Sequence, residues 1–209
     1  MNPRELLDRY LDECPLIAII RGVTPDEAEA VGNAIHEAGI GIIEVPLNSP
    51  DPLASIERLA TNLGDRMLVG GGTILNTADV ERVRDAGGRL VVSPNTNSDV
   101  IAATAAAGMI SCPGYFTPSE AFRALEAGAA ALKFFPAEAA SPDVLKAQLA
   151  VLPKGVRVLV VGGIKPGNMR PWTEAGARGF GLGGGLYKPG QSPAETLEKA
   201  RAYVAGVRG

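Results

Sequence analysis

Ala130-Ala131-Leu132-Lys133-Phe134-Phe135-Pro136 sets a lysine in the middle of a short apolar run bounded by Gly128 and Pro136. A run this short, closed by breakers, reads as a buried strand and not as a helix. Burial of the strand buries the amine, which disfavours the ammonium form and lowers the lysine pKa. A neutral amine is a nucleophile toward carbonyls, and Schiff-base chemistry starts from one. The plainer alternative is a strand-end lysine that snorkels its head to water. These seven residues leave both readings open, so the rest of the chain has to separate them.

Outward from this run, seven more segments share its make-up: Leu16 to Arg21, Gly41 to Pro46, Met67 to Gly71, Arg89 to Ser93, Met109 to Pro113, Val156 to Val161 and Arg178 to Leu182. With Ala131 to Phe135 they make eight strands, most of them too apolar for a sheet with one wet face. Parallel strands covered by helices have that composition. Helical patterns lie between them. Thr24-Pro25-Asp26-Glu27 and Thr117-Pro118-Ser119-Glu120 each combine a cap residue, proline at the first helical position and an acidic first turn. Ser49-Pro50-Asp51 and Ser141-Pro142-Asp143 read as two further starts. Gly39, Gly87, Gly108, Gly128 and Gly176 each follow a helical pattern as its left-handed cap.

The strand–helix unit recurs every 20 to 27 residues or so, which fits one strand, one helix and short loops. Eight such units after an amphipathic N-terminal segment, Met1 to Glu13, predict an α/β fold of the (β/α)8 TIM-barrel type, a single domain spanning 1–209 with an N-terminal helix. An open doubly wound sheet is the competing architecture; the even repeat and the late glycine-rich loops favour the barrel.

Composition narrows the function. The net charge is −3, with acids and bases well mixed, and no basic stripe marks a nucleic-acid or anionic-membrane partner. No apolar segment approaches the roughly 20 residues of a membrane span. Met1 to Glu13 lacks the apolar core of a signal peptide. Cys14 and Cys112 match neither a metal nor a redox spacing, so a reducing cytoplasm is the expected setting. The single histidine, His36, sits in a helical pattern and makes a Ser-His-Asp triad improbable.

In a barrel of this type, chemistry gathers at the C-terminal strand ends. Those ends read Arg21-Gly22, Glu44-Val45-Pro46-Leu47-Asn48, Gly70-Gly71-Gly72-Thr73, Ser93-Pro94-Asn95, Cys112-Pro113-Gly114, Lys133-Phe134-Phe135-Pro136, Val161-Gly162-Gly163 and Gly181-Leu182-Gly183-Gly184-Gly185. Alternation turns Phe135 the same way as Lys133 and turns Leu132 and Phe134 toward the helices; Glu44 shares a face with Ile42. Arg21, Glu44 and Lys133 thus converge on one barrel mouth, either as reactive groups or with Glu44 and Lys133 as a structural ion pair. Glycines after the seventh and eighth strands occupy the recurrent phosphate-binding place of this fold, where backbone N–H groups approach phosphate oxygens. Gly181-Leu182-Gly183 is not a dinucleotide fingerprint, because no βαβ unit and no suitably spaced acid follow it.

Glu44-Val45-Pro46-Leu47-Asn48-Ser49, Gly71-Gly72-Thr73-Ile74-Leu75, Ser93-Pro94-Asn95, Lys133-Phe134-Phe135-Pro136-Ala137-Glu138 and Val161-Gly162-Gly163 together resemble the 2-keto-3-deoxy-6-phosphosugar-acid aldolases. The likeness runs from Pro15 to about Gly190. The family has gluconate and galactonate branches, whose substrates differ in configuration at carbon 4. Pro46, Asn48 and Val161 resemble the galactonate branch, since the gluconate branch carries threonine, arginine and threonine in those places. One departure is Gly184, where the family often has serine.

The resemblance implies reversible cleavage of 2-dehydro-3-deoxy-6-phospho-D-galactonate to pyruvate and D-glyceraldehyde 3-phosphate. Lys133 would form the imine and Glu44 would move protons. Thr73 and Arg21 would hold the carboxylate end, Pro94 and Phe135 would wall the pocket, and Val161 would bear on stereochemistry. Gly162, Gly163, Gly183 and Gly184 would hold the phosphate. It further implies no metal or other cofactor, a small phosphorylated keto acid as the only partner besides its own copies, and a homotrimer. The alternatives left open are a gluconate or dual-epimer aldolase, and more remotely a phosphate-binding barrel isomerase or epimerase that uses Glu44 without covalent chemistry.

Overall fold

The structure of the chain, a computed structural model, describes residues 2–209. Met1, part of the expected N-terminal segment and of the 1–209 domain, lies outside the described residues. The strands are β1 (Leu16–Ile19), β2 (Ile42–Pro46), β3 (Leu68–Gly72), β4 (Leu90–Val92), β5 (Ile110–Cys112), β6 (Gly114–Tyr115), β7 (Leu132–Phe134), β8 (Val158–Val161) and β9 (Gly179–Leu182). All pair in parallel, in the order β5-β4-β3-β2-β1-β9-β8-β7-β6. The two ends of this row are consecutive parts of one extended stretch, so the sheet closes on itself as an eight-position barrel. Each expected strand is present. The fifth differs from expectation: it is not a single run over Met109 to Pro113 but is broken at Pro113 and resumes to Tyr115. Proline has no N–H to donate to a ladder, yet its carbonyl still accepts from Lys133 N–H at 2.9 Å, and Ser111 accepts from Ala130 N–H at 2.9 Å.

The helices are α1 (Pro3–Glu13), α2 (Pro25–Glu37), α3 (Pro52–Leu63), α4 (Thr77–Asp85), α5 (Ser98–Ala106), α6 (Pro118–Glu126), α7 (Pro142–Leu149), α8 (Met169–Glu174) and α9 (Pro193–Arg208). α2, α6 and α7 start at the expected prolines. At α6 the cap is reciprocal: Thr117 Oγ1 accepts from Glu120 N–H, and the Glu120 carboxylate accepts from Thr117 N–H at 2.8 Å. α3 is a correction. It begins at Pro52 behind Asp51, whose φ is 39°, and not at Ser49-Pro50. Ser49 is not available as a cap because its hydroxyl accepts from Gly22 N–H at 2.9 Å. The five expected helix-end glycines all lie in the left-handed region, with φ between 68° and 110°.

Alternation along the strands makes two cores. Ala18, Ile43, Val69, Val91, Leu132, Phe134, Val160 and Phe180 face the helices, while Ile17, Ile42, Leu68, Leu90, Ile110 and Leu159 fill the barrel interior. α1 lays Leu6, Leu7, Tyr10 and Leu11 against that interior set. It therefore seals one end of the barrel. Arg157, just before β8, pins it by pairing with Asp8 and, at 2.9 Å, with Asp12. The other end, where the strands finish, stays open. Among the described residues no helix is long and apolar enough to cross a membrane.

Candidate active site

The open end of the barrel holds a cavity of about 480 Å³. All eleven residues singled out from the sequence line it: Arg21, Glu44, Thr73, Pro94, Lys133, Phe135, Val161, Gly162, Gly163, Gly183 and Gly184. Asn48 does not line it; it touches the cavity only through Arg21, whose guanidinium donates to its side-chain oxygen.

Glu44 and Lys133 are the buried charges of this cavity. Glu44, on β2, is 2 % exposed, and its Oε2 has no hydrogen-bond partner among the described residues, Lys133 included. Burial raises its pKa from the ordinary 4.5 to about 7, against the pull of the Lys133 and Arg21 charges. Its room is made by β3, where Gly72 stands two ladder rungs beyond Gly70, the register partner of Glu44. A Cβ on Gly72 would sit 1.9 Å from Glu44 Oε2, so the side chain lies over bare backbone. Lys133, on β7, is 8 % exposed. Burial lowers its pKa, the Glu44 charge opposes that, and the Arg21 charge adds to it. Its Nζ lies 4.7 Å from the centre of the Phe135 ring, which shares its face as alternation requires. Below the pair, the buried Cys112 thiol is pushed up to about 12 by desolvation and stays protonated.

Thr73, the first residue after β3, has φ 59°. A β-branched residue in the left-handed region is a strained one, and such strain concentrates at binding sites. Ser93 anchors this corner by donating to the Ile74 carbonyl at 2.8 Å.

The rim on the β8–β9 side is built from glycine. Gly162 and Gly163 have φ 115° and 64°, and a side chain on Gly162 would strike the Glu138 carboxylate. Asn168 fixes the same loop by donating to the Gly163 carbonyl and accepting from Lys165 N–H. After β9, the Gly183 carbonyl accepts from Leu186 and Tyr187 N–H groups at 2.9 and 3.1 Å, closing one helical turn. The amides that open such a turn have no partner within it. A Cβ on Gly183 or Gly184 would meet nothing within 4 Å, so the space before them is open. Gly185 is different: it abuts the Tyr203 hydroxyl of α9, which donates to the Ile164 carbonyl and ties the two loops together.

Sequence reasoning missed Glu138, Lys165, Tyr187 and Lys188, all of which line the cavity. Lys165 and Lys188 had a readable signal, since they stand two and three residues past the glycine-rich strand ends at Gly163 and Gly185. Glu138 lies within the Lys133–Glu138 block, but nothing local shows that a short 3₁₀ turn over Ala137–Ala139 aims it at the next strand's loop. The arrangement offers an amine with a lowered pKa, a carboxyl group that can hold or release a proton near neutrality, and a rim of open amides and two lysines suited to an anion.

Comparison with known proteins adds a family. A model described as KDPG and KHG aldolase matches residues 7–197. A protein of Rhizobium meliloti (strain 1021), described as a probable 2-dehydro-3-deoxy-6-phosphogalactonate aldolase, is 49 % identical over 92 % of this chain and 91 % of its own length. The 2-dehydro-3-deoxy-6-phosphogalactonate aldolase of Escherichia coli (strain K12) is 47 % identical over 96 % and 98 %. A solved structure described as native KDPGal superposes with a TM-score of 0.92 at 46 % identity, over 94 % of this chain and 95 % of that one.

Proposed function

This chain belongs to the KDPG and KHG aldolase family, and on that premise we propose that it is a class I aldolase that reversibly cleaves 2-dehydro-3-deoxy-6-phospho-D-galactonate to pyruvate and D-glyceraldehyde 3-phosphate. The observation that carries this reading is the pairing of Lys133 with Glu44 in one barrel mouth, both buried and both shifted toward the neutral form. The galactonate series is supported by the two relatives at 49 % and 47 % identity.

The reaction begins with attack of the Lys133 amine on the carbon 2 ketone. The carbinolamine loses water with Glu44 moving the proton, and a protonated imine results. Glu44 as carboxylate then takes the proton of the carbon 4 hydroxyl. The bond between carbons 3 and 4 breaks, its electron pair passes into the imine to give an enamine, and glyceraldehyde 3-phosphate departs. The protonated Glu44 returns its proton to carbon 3, and water hydrolyses the imine to release pyruvate and restore Lys133. A carboxyl group with a pKa of about 7 suits a residue that must both accept and give a proton in one cycle.

Thr73 and Arg21 hold the carboxylate end, and Pro94 and Phe135 wall the reacting carbons. Val161, an apolar neighbour, bears on the carbon 4 configuration. Gly162, Gly163, Gly183 and Gly184 receive the phosphate, with Lys165 and Lys188 adding positive charge at the same rim. Residues 1–209 act as one domain, assembled as a homotrimer without nucleic acid or membrane. Light scattering at three times the chain mass tests the assembly. Two buried cysteines, both free thiols, suit a reducing cytoplasm.

Borohydride added with pyruvate is expected to leave a reduced adduct on Lys133, read by peptide mass. An active, folded enzyme that gives no adduct would falsify the covalent mechanism. Turnover of the two carbon 4 epimers, measured side by side, is expected to favour the galactonate compound. Equal or reversed preference replaces it with the dual or gluconate reading.

A further inference from the structure

Arg21 is exposed just past β1, yet the aldolase reading asks its guanidinium to wait at one place above Lys133 and Glu44. The last rung joining β1 to β2 is Ile20 N–H to the Glu44 carbonyl, at 3.1 Å. Beyond it the two loops run together. Gly22 N–H donates to Ser49 Oγ at 2.9 Å, Ser49 N–H to the Pro46 carbonyl at 2.9 Å, and Leu47 N–H to the Gly72 carbonyl at 2.8 Å. The β2 loop is thereby braced from below and in turn braces the β1 loop. On this platform the Arg21 guanidinium donates to Asn48 Oδ1. Ser49 is buried while Asn48 is exposed, so the asparagine is not there to fill a core.

We propose that Asn48 is a positioning residue for the aldolase reaction, holding Arg21 over the barrel mouth through a neutral acceptor that leaves the guanidinium charge intact for the substrate carboxylate. This rests on the aldolase reading above. A long exposed side chain loses rotamer freedom when it is fixed, and a contact made before substrate arrives removes that loss from the binding step. Guanidinium has five N–H donors in a planar fork, so one given to Asn48 leaves enough for a bidentate carboxylate. An aspartate at 48 would also hold Arg21. However, it would cancel the charge and compete with the substrate for the same fork. The charge matters twice, because Arg21 also acts on the ionisation of both Lys133 and Glu44.

The test is steady-state kinetics of Asn48→Ala, Asn48→Asp, Arg21→Ala and the Arg21→Ala/Asn48→Ala double variant, each with pyruvate trapping on Lys133. Asn48→Ala is expected to raise KM for the keto acid about tenfold with kcat within about twofold, the pattern of lost binding without lost chemistry. Asn48→Asp is expected to raise KM at least as much, although it keeps an acceptor. In the Arg21→Ala background, Asn48→Ala is expected to add nothing further. An unchanged KM in Asn48→Ala, or a full effect persisting without Arg21, overturns the proposal. Wild-type behaviour of Asn48→Asp overturns the requirement for a neutral acceptor. Absence of any adduct on wild-type Lys133 overturns the aldolase reading and this inference with it, whereas an adduct alongside an unchanged KM removes only the role of Asn48.

Discussion

Glu44 makes its chemistry and its stability cost from the same burial. Between pH 4.5 and about 7 the folded chain keeps a proton on Glu44 that the unfolded chain has released. Its contribution therefore favours folding below that window and is lost as pH rises through it. Glu44→Gln stays neutral throughout. Above pH 7 it is expected to be more stable than the wild type by an amount on the order of 3 kcal/mol, shrinking toward pH 5, as read by denaturant titration at both pH values. Turnover of the same variant is expected to drop by roughly 10²-fold or more. In the wild type, kcat/KM should climb as pH rises through about 7, because cleavage needs Glu44 as the carboxylate. A variant that loses activity and stability together would mark Glu44 as a structural residue instead.

The loops after β8 and β9 place glycine for two different reasons. At Gly162 the backbone itself demands it: φ is 115° and the Glu138 carboxylate occupies the side-chain position. Gly162→Ala is expected to raise KM for the phosphorylated aldehyde in the condensation direction by about tenfold or more, with less effect on unphosphorylated glyceraldehyde. At Gly184 nothing stands within 4 Å of an added Cβ. Gly184→Ser should change stability by no more than about 0.5 kcal/mol and lower KM for the phosphorylated compound by offering a hydroxyl. Loss of stability would show that the turn at Gly183 needs glycine after all. The starts of α2, α6 and α7 could be read directly, because proline at the first helical position is a local mark of a helix start. Ser49-Pro50 misled because Ser49 spends its hydroxyl on Gly22, a partner 27 residues away.

Across the molecule, the barrel separates stability at one end from chemistry at the other. α1 plugs the end opposite the cavity, and Leu7 there is fully buried among the interior side chains. Leu7→Ala is expected to cost about 3 kcal/mol of stability with kcat and KM unchanged, measured by denaturant titration and steady-state kinetics. A kinetic effect as large as the stability effect would mean the two ends are coupled. The break at Pro113 serves the same plan. It lets the fifth stretch pair with β4 through Ile110–Cys112 and with β7 through Gly114–Tyr115, closing the barrel beside Lys133.

The sequence by itself determined the repeat, the eight strands, the open end and the gathering there of Arg21, Glu44, Lys133 and the late glycines. All of these follow from periodicity, breakers and strand-end chemistry written along the chain. Thr73, Pro94, Phe135 and Val161 were marked as site residues by the family resemblance. Lys133 in its apolar run was legible as a buried amine, though a snorkelling one fitted equally well. Only the tertiary structure decided between them, because burial is a property of the assembled barrel: it leaves Lys133 at 8 % exposure and Glu44 without a partner for Oε2. It alone also brought Glu138 to the rim and joined Arg21 to Asn48. Those contacts cross from one strand–helix unit to the next, and spacing within a unit carries no record of them.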